Sequence, residues 1–380
     1  MKDQETILVI SPSLGIGGRE RIAINTVRCL EGLGYRAVLV LLQRRDVEYP
    51  FSGERIDLDV PARRGFFGKI VAQIQRSRKL FHIRKTYSAQ YVISLGDASN
   101  ISNVISGLTH RGKTIIAFHV YGEVKQAFVT WFITKKADKV VCIAQDMLRH
   151  LLSVYPKLRN ATVIENGYDL ASIVSKDEDV KQPSSLSSLR LVSMGRLAHQ
   201  KGFDRLIDSF AIIEKAIPNA TLTIIGKGVL EEELKDQVRR LGLEKEVMFS
   251  GYQADPFSIL HHHTIYVLSS FSEGFPNALI EALHCCLPVV AVDCHSGPRE
   301  ILSEAYSPEP VQGIRFEKYG VLVENSPDGF VERFAQAVIQ LWQDRERMSY
   351  YREIGPQRAK EFSLERYQAK LKQLLEEFDQ

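Results

Sequence analysis

Cysteine is scarce in this chain of 380 residues. Five are present, Cys29, Cys142, Cys285, Cys286 and Cys294, an odd number with no Cys-x-x-Cys spacing. That pattern excludes a disulfide framework and a thiolate zinc site, and leaves reduced thiols in a core. Long apolar runs are also missing, which excludes a bilayer-spanning helix. The N-terminus passes straight into the apolar run Ile7-Leu8-Val9-Ile10 with no leader-like segment, so a cytoplasmic protein is expected. No repeat of solenoid period recurs. Histidine clusters once, at His261-His262-His263. Consecutive histidines on one helix point in different directions, so they do not chelate one ion as an i, i+4 pair would, and no metal is expected there.

What is present describes a globular protein of two domains. Apolar residues make up 44% and charged residues 25%, enough to bury ample core at this length. Short apolar runs alternate with helical patterns from residue 6 to about residue 330, which predicts parallel sheets covered by helices. The clearest break in pattern falls between Ser172 and Ser188, where Lys176-Asp177-Glu178-Asp179 and Pro183-Ser184-Ser185 read as a solvated linker.

Net charge is only +3, yet residues 1–170 hold 25 Lys and Arg against 15 Asp and Glu, a surplus of 10 that the remainder offsets with a deficit of 7. Within that basic half, the segment from Arg63 to Lys85 carries eight cations and no anion, with apolar residues at helical spacing and the pair Phe66-Phe67 at its start. Its cations include Arg63, Arg64, Lys69, Arg76 and Lys79. A basic amphipathic helix of this kind suits an anionic membrane surface or an acceptor bearing a diphosphate. The alternative is a surface helix with its apolar face in the core and its cations in water. No nucleic-acid recognition motif accompanies it.

Two segments carry the chemistry. Ser269-Ser270-Phe271-Ser272-Glu273-Gly274-Phe275-Pro276-Asn277-Ala278-Leu279-Ile280-Glu281-Ala282-Leu283 places one carboxylate before a predicted helix, a Gly and a Pro at the turn, and a second carboxylate inside the helix. Helix N-terminal amides favour a diphosphate, Pro276 has no amide to waste there, and Glu281 is suited to a ribose diol. Glu273 would face a sugar. Read alone, the segment is equally an ordinary strand-to-helix turn. Upstream, Leu191-Val192-Ser193-Met194-Gly195-Arg196 is an apolar strand that leads through Lys201-Gly202 into a helix, and its guanidinium and ammonium, five residues apart, can neutralise two phosphates.

Together these segments resemble the retaining glycosyltransferases of family 4, and the resemblance runs over nearly the whole chain. It implies the two-domain GT-B fold: two Rossmann-like α/β domains facing across a deep cleft. Residues 1–170 would form the acceptor-binding domain, 171–188 the linker and 189–363 the nucleotide-sugar domain. A terminal helix, about 364–380, would return to the first domain. By this resemblance the loop at Gly17 and Gly18 faces the donor diphosphate and the acceptor, and His119, at the end of Ala117-Phe118-His119, lies beside the donor sugar. Asn166 in Glu165-Asn166-Gly167, Gly226 after Thr221-Leu222-Thr223-Ile224-Ile225, and Tyr252 in Phe249-Ser250-Gly251-Tyr252 line the donor site. So do Gly274, Phe275, Asn277, Ala278, Leu279 and Glu281. Ala144 departs from the family pattern, standing where a serine is common.

The resemblance implies a metal-independent transfer. Asp57-Leu58-Asp59 has the form other glycosyltransferase folds use to hold a cation, but it lies in a short extended run from Arg55 to Val60 and is expected to be edge or loop. Arg196 and Lys201 would take the cation's place, stabilising charge on the departing diphosphate. Glu273 would bind donor hydroxyls, and no second carboxylate offers the pair that a covalent double displacement needs. The expected reaction moves a hexose or N-acetylhexosamine from a UDP-sugar to a hydroxyl of a lipid-linked oligosaccharide or surface polysaccharide, with retention, at the inner face of a membrane. A nucleotide-sugar epimerase of the same fold, or an inactive nucleotide-sugar-binding partner subunit, is the alternative.

Overall fold

The structure is a computed structural model that describes residues 4–15, 18–44, 49–124, 127–172 and 188–378. The contacts divide it into two units, residues 1–169 with 362–380, and residues 170–361.

The first unit is built on seven strands, β1 (Thr6–Ser11), β2 (Arg36–Leu41), β3 (Arg55–Asp57), β4 (Tyr91–Leu95), β5 (Lys113–Phe118), β6 (Lys139–Cys142) and β7 (Ala161–Val163). They form one parallel sheet in the order β3-β2-β1-β4-β5-β6-β7. The central strands are continuous apolar runs, Ile7 to Ile10 and Ala37 to Leu41, because a parallel sheet is covered on both faces. The helices are α1 (Gly18–Gly32), α2 (Phe66–Thr86), α3 (Asp97–Gly107), α4 (Phe128–Lys136) and α5 (Gln145–Val154). Apolar residues of α1 pack with Ile7 and Val9 on one face, while Ala72 and Leu80 of α2 pack with Leu8 and Ile10 on the other. Right-handed crossovers place α2, α3 and α4 together on that second face.

The second unit repeats the plan with β8 (Arg190–Met194), β9 (Thr221–Ile225), β10 (Val247–Gly251), β11 (Ile265–Leu268), β12 (Val289–Val292), β13 (Ile314–Phe316) and β14 (Val321–Val323). Their order is β10-β9-β8-β11-β12-β14-β13, parallel except for the edge strand β13. The helices are α6 (Phe203–Ala216), α7 (Glu231–Leu241), α8 (Phe257–Leu260), α9 (Asn277–His284), α10 (Pro298–Leu302), α11 (Phe330–Gln343) and α12 (Arg345–Lys360). The chain then returns to the first unit as α13 (Leu364–Glu376), whose Tyr367, Leu371, Leu374 and Leu375 are buried in the core beside α1. Gly167 has no side chain because Tyr367 passes there: a Cβ would lie 2.5 Å from the tyrosine Cβ.

Four of the five cysteines are buried, Cys286 is half-buried, and all are free thiols. The three histidines follow the single turn of α8 rather than lying on a helix, which departs from the sequence expectation. Buried His263 instead ties Ile259 O (2.7 Å) to Thr223 Oγ1 (2.8 Å). Asp57 ends the edge strand β3, where Arg44 and Arg55 pair with it at 2.9 and 2.8 Å.

The basic segment departs from expectation. Arg76, anticipated as a surface cation, is buried and donates to Val60 O at 2.7 Å, whereas Lys79 is exposed as expected and its ammonium reaches Leu58 O at 2.5 Å. Those carbonyls have left the sheet and need donors. Arg84 of the same run is fully buried against Ser106, Asn103 and Thr114. Arg63, Arg64, Lys69, Phe66 and Phe67 are exposed on the surface. No described helix is long and apolar enough to cross a membrane.

Candidate functional site

In the second unit, strand ends that must run close together are built from glycine. Gly195 N donates to Ile225 O at 2.9 Å, and a Cβ on Gly226 would lie 1.9 Å from Gly195 O at a φ of 146°. Leu197 N donates to Lys227 O at 3.0 Å, so the chain after β8 is threaded against the chain after β9. One turn of 3-10 helix, His199–Lys201, follows, and Gly202 at φ 60° turns the backbone into α6. A Cβ on Gly202 would lie 2.4 Å from Ser269 O.

That turn delivers Lys201 to Glu273. The ammonium lies 2.7 Å from Oε1 and 2.9 Å from Oε2, and Ser270 Oγ donates to Oε1 at 2.5 Å. Glu273 is 5% exposed, so the pair sits largely out of water.

The loop from Ser269 to Pro276 is held from two sides. Arg205 of α6 lies between the rings of Phe271 and Phe330, 4.0 Å from each centroid, and donates to Ser269 O (2.7 Å), Ser270 O (2.8 Å) and Asn325 Oδ1 (3.1 Å). From the other side Glu273 N donates to His295 O at 2.7 Å, Ser296 N to Glu273 O at 3.1 Å and Ser296 Oγ to Gly274 O at 2.6 Å. A Cβ on Gly297, φ 99°, would lie 2.6 Å from Pro276 Cδ. Asp293 and Arg299 fix the strand end behind this segment through a buried, bidentate pair at 2.8–2.9 Å.

Pro276 precedes α9, and Glu281 is buried on that helix. Asn277 and Ala278 are half-buried at its first turn, Phe275 and Leu279 buried, and Gly274 half-buried. The Leu279 N–H already closes the turn onto Pro276 O at 3.1 Å. Arg196 is exposed, and its guanidinium makes no hydrogen bond or ion pair among the described residues. Tyr252 is exposed just past β10, where Gly251 O accepts from Gly226 N at 2.9 Å.

In the first unit, His119 follows β5. Burial, with Arg19 second, lowers its pKa to about 3, so the imidazole is neutral throughout the physiological range. Its Nε2 is buried with no hydrogen-bond partner among the described residues. The turn that carries it is clamped by a residue without a sequence motif: Glu123 Oε2 accepts from His119 N (2.8 Å) and Val120 N (3.3 Å), and Oε1 lies 3.5 Å from Arg19. Burial, then Asp97, raises the Glu123 pKa to about 7. Asn166 is buried, and Gly167 O accepts from Asn25 Nδ2 at 2.9 Å. Gly18 opens α1, whereas Gly17 lies outside the described residues, as does most of the segment 171–188.

The structure brings Lys201 and Glu273 together and buries Glu281 on α9, and it adds Ser270, Arg205, Ser296 and Glu123, to which the sequence assigned no role. None of those four has a diagnostic spacing. Arg205 alone left a trace, as a cation among the apolar positions of α6. No group of three or more metal-ligating side chains occurs among the described residues. An ammonium paired with a carboxylate, beside a helix start, can receive an anion at Lys201 and a hydroxyl at Glu273.

Comparison with known proteins gives a consistent result in both halves. The family model described as Glycosyl transferases group 1 matches residues 175–358, and that described as Glycosyltransferase Family 4 matches residues 16–172. An uncharacterized glycosyltransferase of Methanocaldococcus jannaschii is 29% identical over 339 residues, covering 80% of this chain and 83% of its own. The N-acetylgalactosamine-N,N'-diacetylbacillosaminyl-diphospho-undecaprenol 4-alpha-N-acetylgalactosaminyltransferase of Campylobacter jejuni is 30% identical over 201 residues, 52% of this chain and 49% of its own. Among solved structures, Anabaena HepE in complex with UDP and glucose superposes with a TM-score of 0.76 at 18% identity, covering 97% and 99% of the two chains. That likeness extends over both units and is one of fold.

Proposed function

The chain belongs to the group 1 glycosyltransferases of family 4, has the GT-B fold and acts in glycan biosynthesis, and on that premise we propose that it moves a hexose or N-acetylhexosamine from a UDP-sugar to a hydroxyl of a lipid-linked or polymeric glycan. The observation that carries this reading is the Lys201–Glu273 pair ahead of α9, where a cation, a buried carboxylate, a helix start and Glu281 converge on one turn. The Campylobacter relative is named for transfer to a diphospho-undecaprenol acceptor, and HepE holds UDP and glucose. Both favour the same substrate classes here.

The anomeric C–O bond to the diphosphate breaks, the acceptor oxygen bonds to the anomeric carbon on the same face, and the acceptor proton passes to a diphosphate oxygen. Charge developing on the departing diphosphate is met by Lys201, by Arg196 and by the first amides of α9. Donor entry draws Lys201 from Glu273 toward the phosphates and frees the carboxylate for sugar hydroxyls. Ser270 keeps one of its oxygens oriented meanwhile. Neutral His119 orients the sugar by a hydrogen bond. No cation is required, because Arg196 and Lys201 supply the positive charge. The exposed cations Arg63 and Arg64, with Lys69, receive an anionic acceptor at the inner face of a membrane.

The test incubates the purified protein with UDP-, GDP- and ADP-sugars in EDTA, without acceptor, and follows slow release of nucleoside diphosphate. Hydrolysis of one UDP-sugar that Lys201→Ala abolishes supports the reading. Binding of UDP without turnover would favour a partner subunit, exchange of sugar configuration an epimerase, and absence of any binding would remove the proposal.

A further inference from the structure

The first unit leaves aromatic and aliphatic side chains in water at two separate helices. On α2, Phe66, Phe67, Ile70 and Ile74 are exposed, Phe67 to 81%. On α4, Phe128 and Trp131 are exposed, Trp131 to 42%, with their rings 5.5 Å apart. A helix whose aromatic residues point outward has its amphipathic sense reversed, and contiguous exposed apolar surface marks an interaction site.

Topology puts the two helices on one side. Both lie on the same face of the sheet with α3 packed between them. Each starts toward the C-terminal edge of the strands, because each follows a parallel strand. Gln73 Nε2 of α2 donates to Ala98 O and Ser102 Oγ at the first turns of α3. Residues 66–72 therefore extend past the start of α3 by about 10 Å at 1.5 Å per residue.

The two helices themselves carry charge of one sign, and α3 between them opens with a single exposed carboxylate, Asp97. Residues 61–87 and 127–137 contain no Asp or Glu, and the exposed cations include Arg63 and Arg64 before α2 and Lys135 and Lys136 at the end of α4. Lys135 lies 5.1 Å from the Trp131 ring centroid. Exposed aromatic rings beside lysines, on two helices that hold no carboxylate, match the interface of a bilayer that presents anionic headgroups.

We propose that α2 and α4 together form a docking surface for an anionic lipid bilayer, with Phe66 and Phe67 as one anchor and Phe128 and Trp131 as a second. This deepens the reading of a membrane-held acceptor and rests on it for its purpose. Its test uses neither donor nor acceptor, so a failure of docking and a failure of transfer are separately visible.

The chain has two tryptophans, and Trp342 is buried in the core of the second unit, so a vesicle-dependent change in fluorescence reports Trp131. The full-length protein is titrated with phosphatidylcholine vesicles, with and without phosphatidylglycerol, carrying bromine on the acyl chains. The expected result is a blue shift and quenching with the anionic vesicles only, absent from Trp131→Phe, which still floats with them. Phe128→Ser and Phe67→Ser, both at exposed positions, each weaken partitioning by about tenfold or more. Flotation without quenching of Trp131 would remove α4 from the surface. Equal binding to neutral vesicles would refute the charge argument. A sedimenting dimer that shields Trp131 without lipid would assign the face to a second copy.

Discussion

Glu123→Gln should stabilise the protein above neutrality and lose that advantage in mild acid. The carboxyl is buried under the turn that carries His119, and its pKa rises from 4.5 to about 7. A carboxyl whose folded pKa is raised contributes stability fully below pH 4.5, and that contribution is lost as pH rises through 7. A shift of about 2.5 units corresponds to about 3 kcal/mol. His119 acts in the opposite sense, since its folded pKa of about 3 lies below the ordinary 6.5 and its contribution is lost as pH falls from 6.5 toward 3. The two slopes cancel between pH 4.5 and 6.5, and removing the carboxylate exposes the histidine's slope alone. Glutamine keeps an oxygen for the His119 and Val120 amides and loses the ion pair with Arg19, a small term at 3.5 Å and partial exposure. Relative to the parent, the variant's unfolding free energy should therefore rise by about 3 kcal/mol between pH 4.5 and pH 8, a difference of roughly 6 °C or more in midpoint. Calorimetric scans of both proteins across that range measure it. A variant displaced by the same amount at every pH would refute a buried, titrating Glu123.

Arg205→Met leaves the carbonyls of Ser269 and Ser270 and the Asn325 amide oxygen without their donor, at about 1–3 kcal/mol for each group left unsatisfied. Denaturant unfolding should show a loss of about 3 kcal/mol or more, and nucleotide-sugar turnover should fall further than donor affinity, because the loop that orients Glu273 is loosened. Gly226→Ala forces a Cβ to within 1.9 Å of Gly195 O at a φ that L residues rarely adopt. Its expected outcome is a second unit that does not fold, read as loss of its protease-resistant fragment, while an alanine variant of parental stability would contradict the close crossing of β8 and β9.

The sheets and the chemistry-bearing turn were legible because each is a local pattern. Ile7 to Ile10, Ala37 to Leu41 and Val289 to Val292 are apolar without interruption, the mark of strands covered on both faces. The interval from Glu273 to Glu281 spans a loop and a helix start whose geometry follows from Pro276 and the helix period. The supports of that turn were not legible. Arg205 reaches it over more than sixty positions, and Ser296 over more than twenty, so their meaning exists only once β11 and β12 lie side by side. The run from Arg63 to Lys85 failed for a related reason. Composition gives the number of cations, but the carbonyl of Val60, outside the helix, decided that Arg76 turns inward while Arg63 and Arg64 stay in water.

The return of α13 sets an order on how the protein is made. Tyr367, Leu371, Leu374 and Leu375 cover the face of the first sheet on which Ile7 and Val9 lie, and Tyr367 shares a 2.8 Å hydrogen bond with Thr26. A nascent chain that has completed β7 still lacks that cover, and the whole stretch 170–361 must emerge before it arrives. At the usual pace of synthesis the wait is roughly 10 to 40 s, long compared with the folding of either sheet. During it the first unit holds an open apolar face, while the second unit, continuous in sequence, can close on itself first.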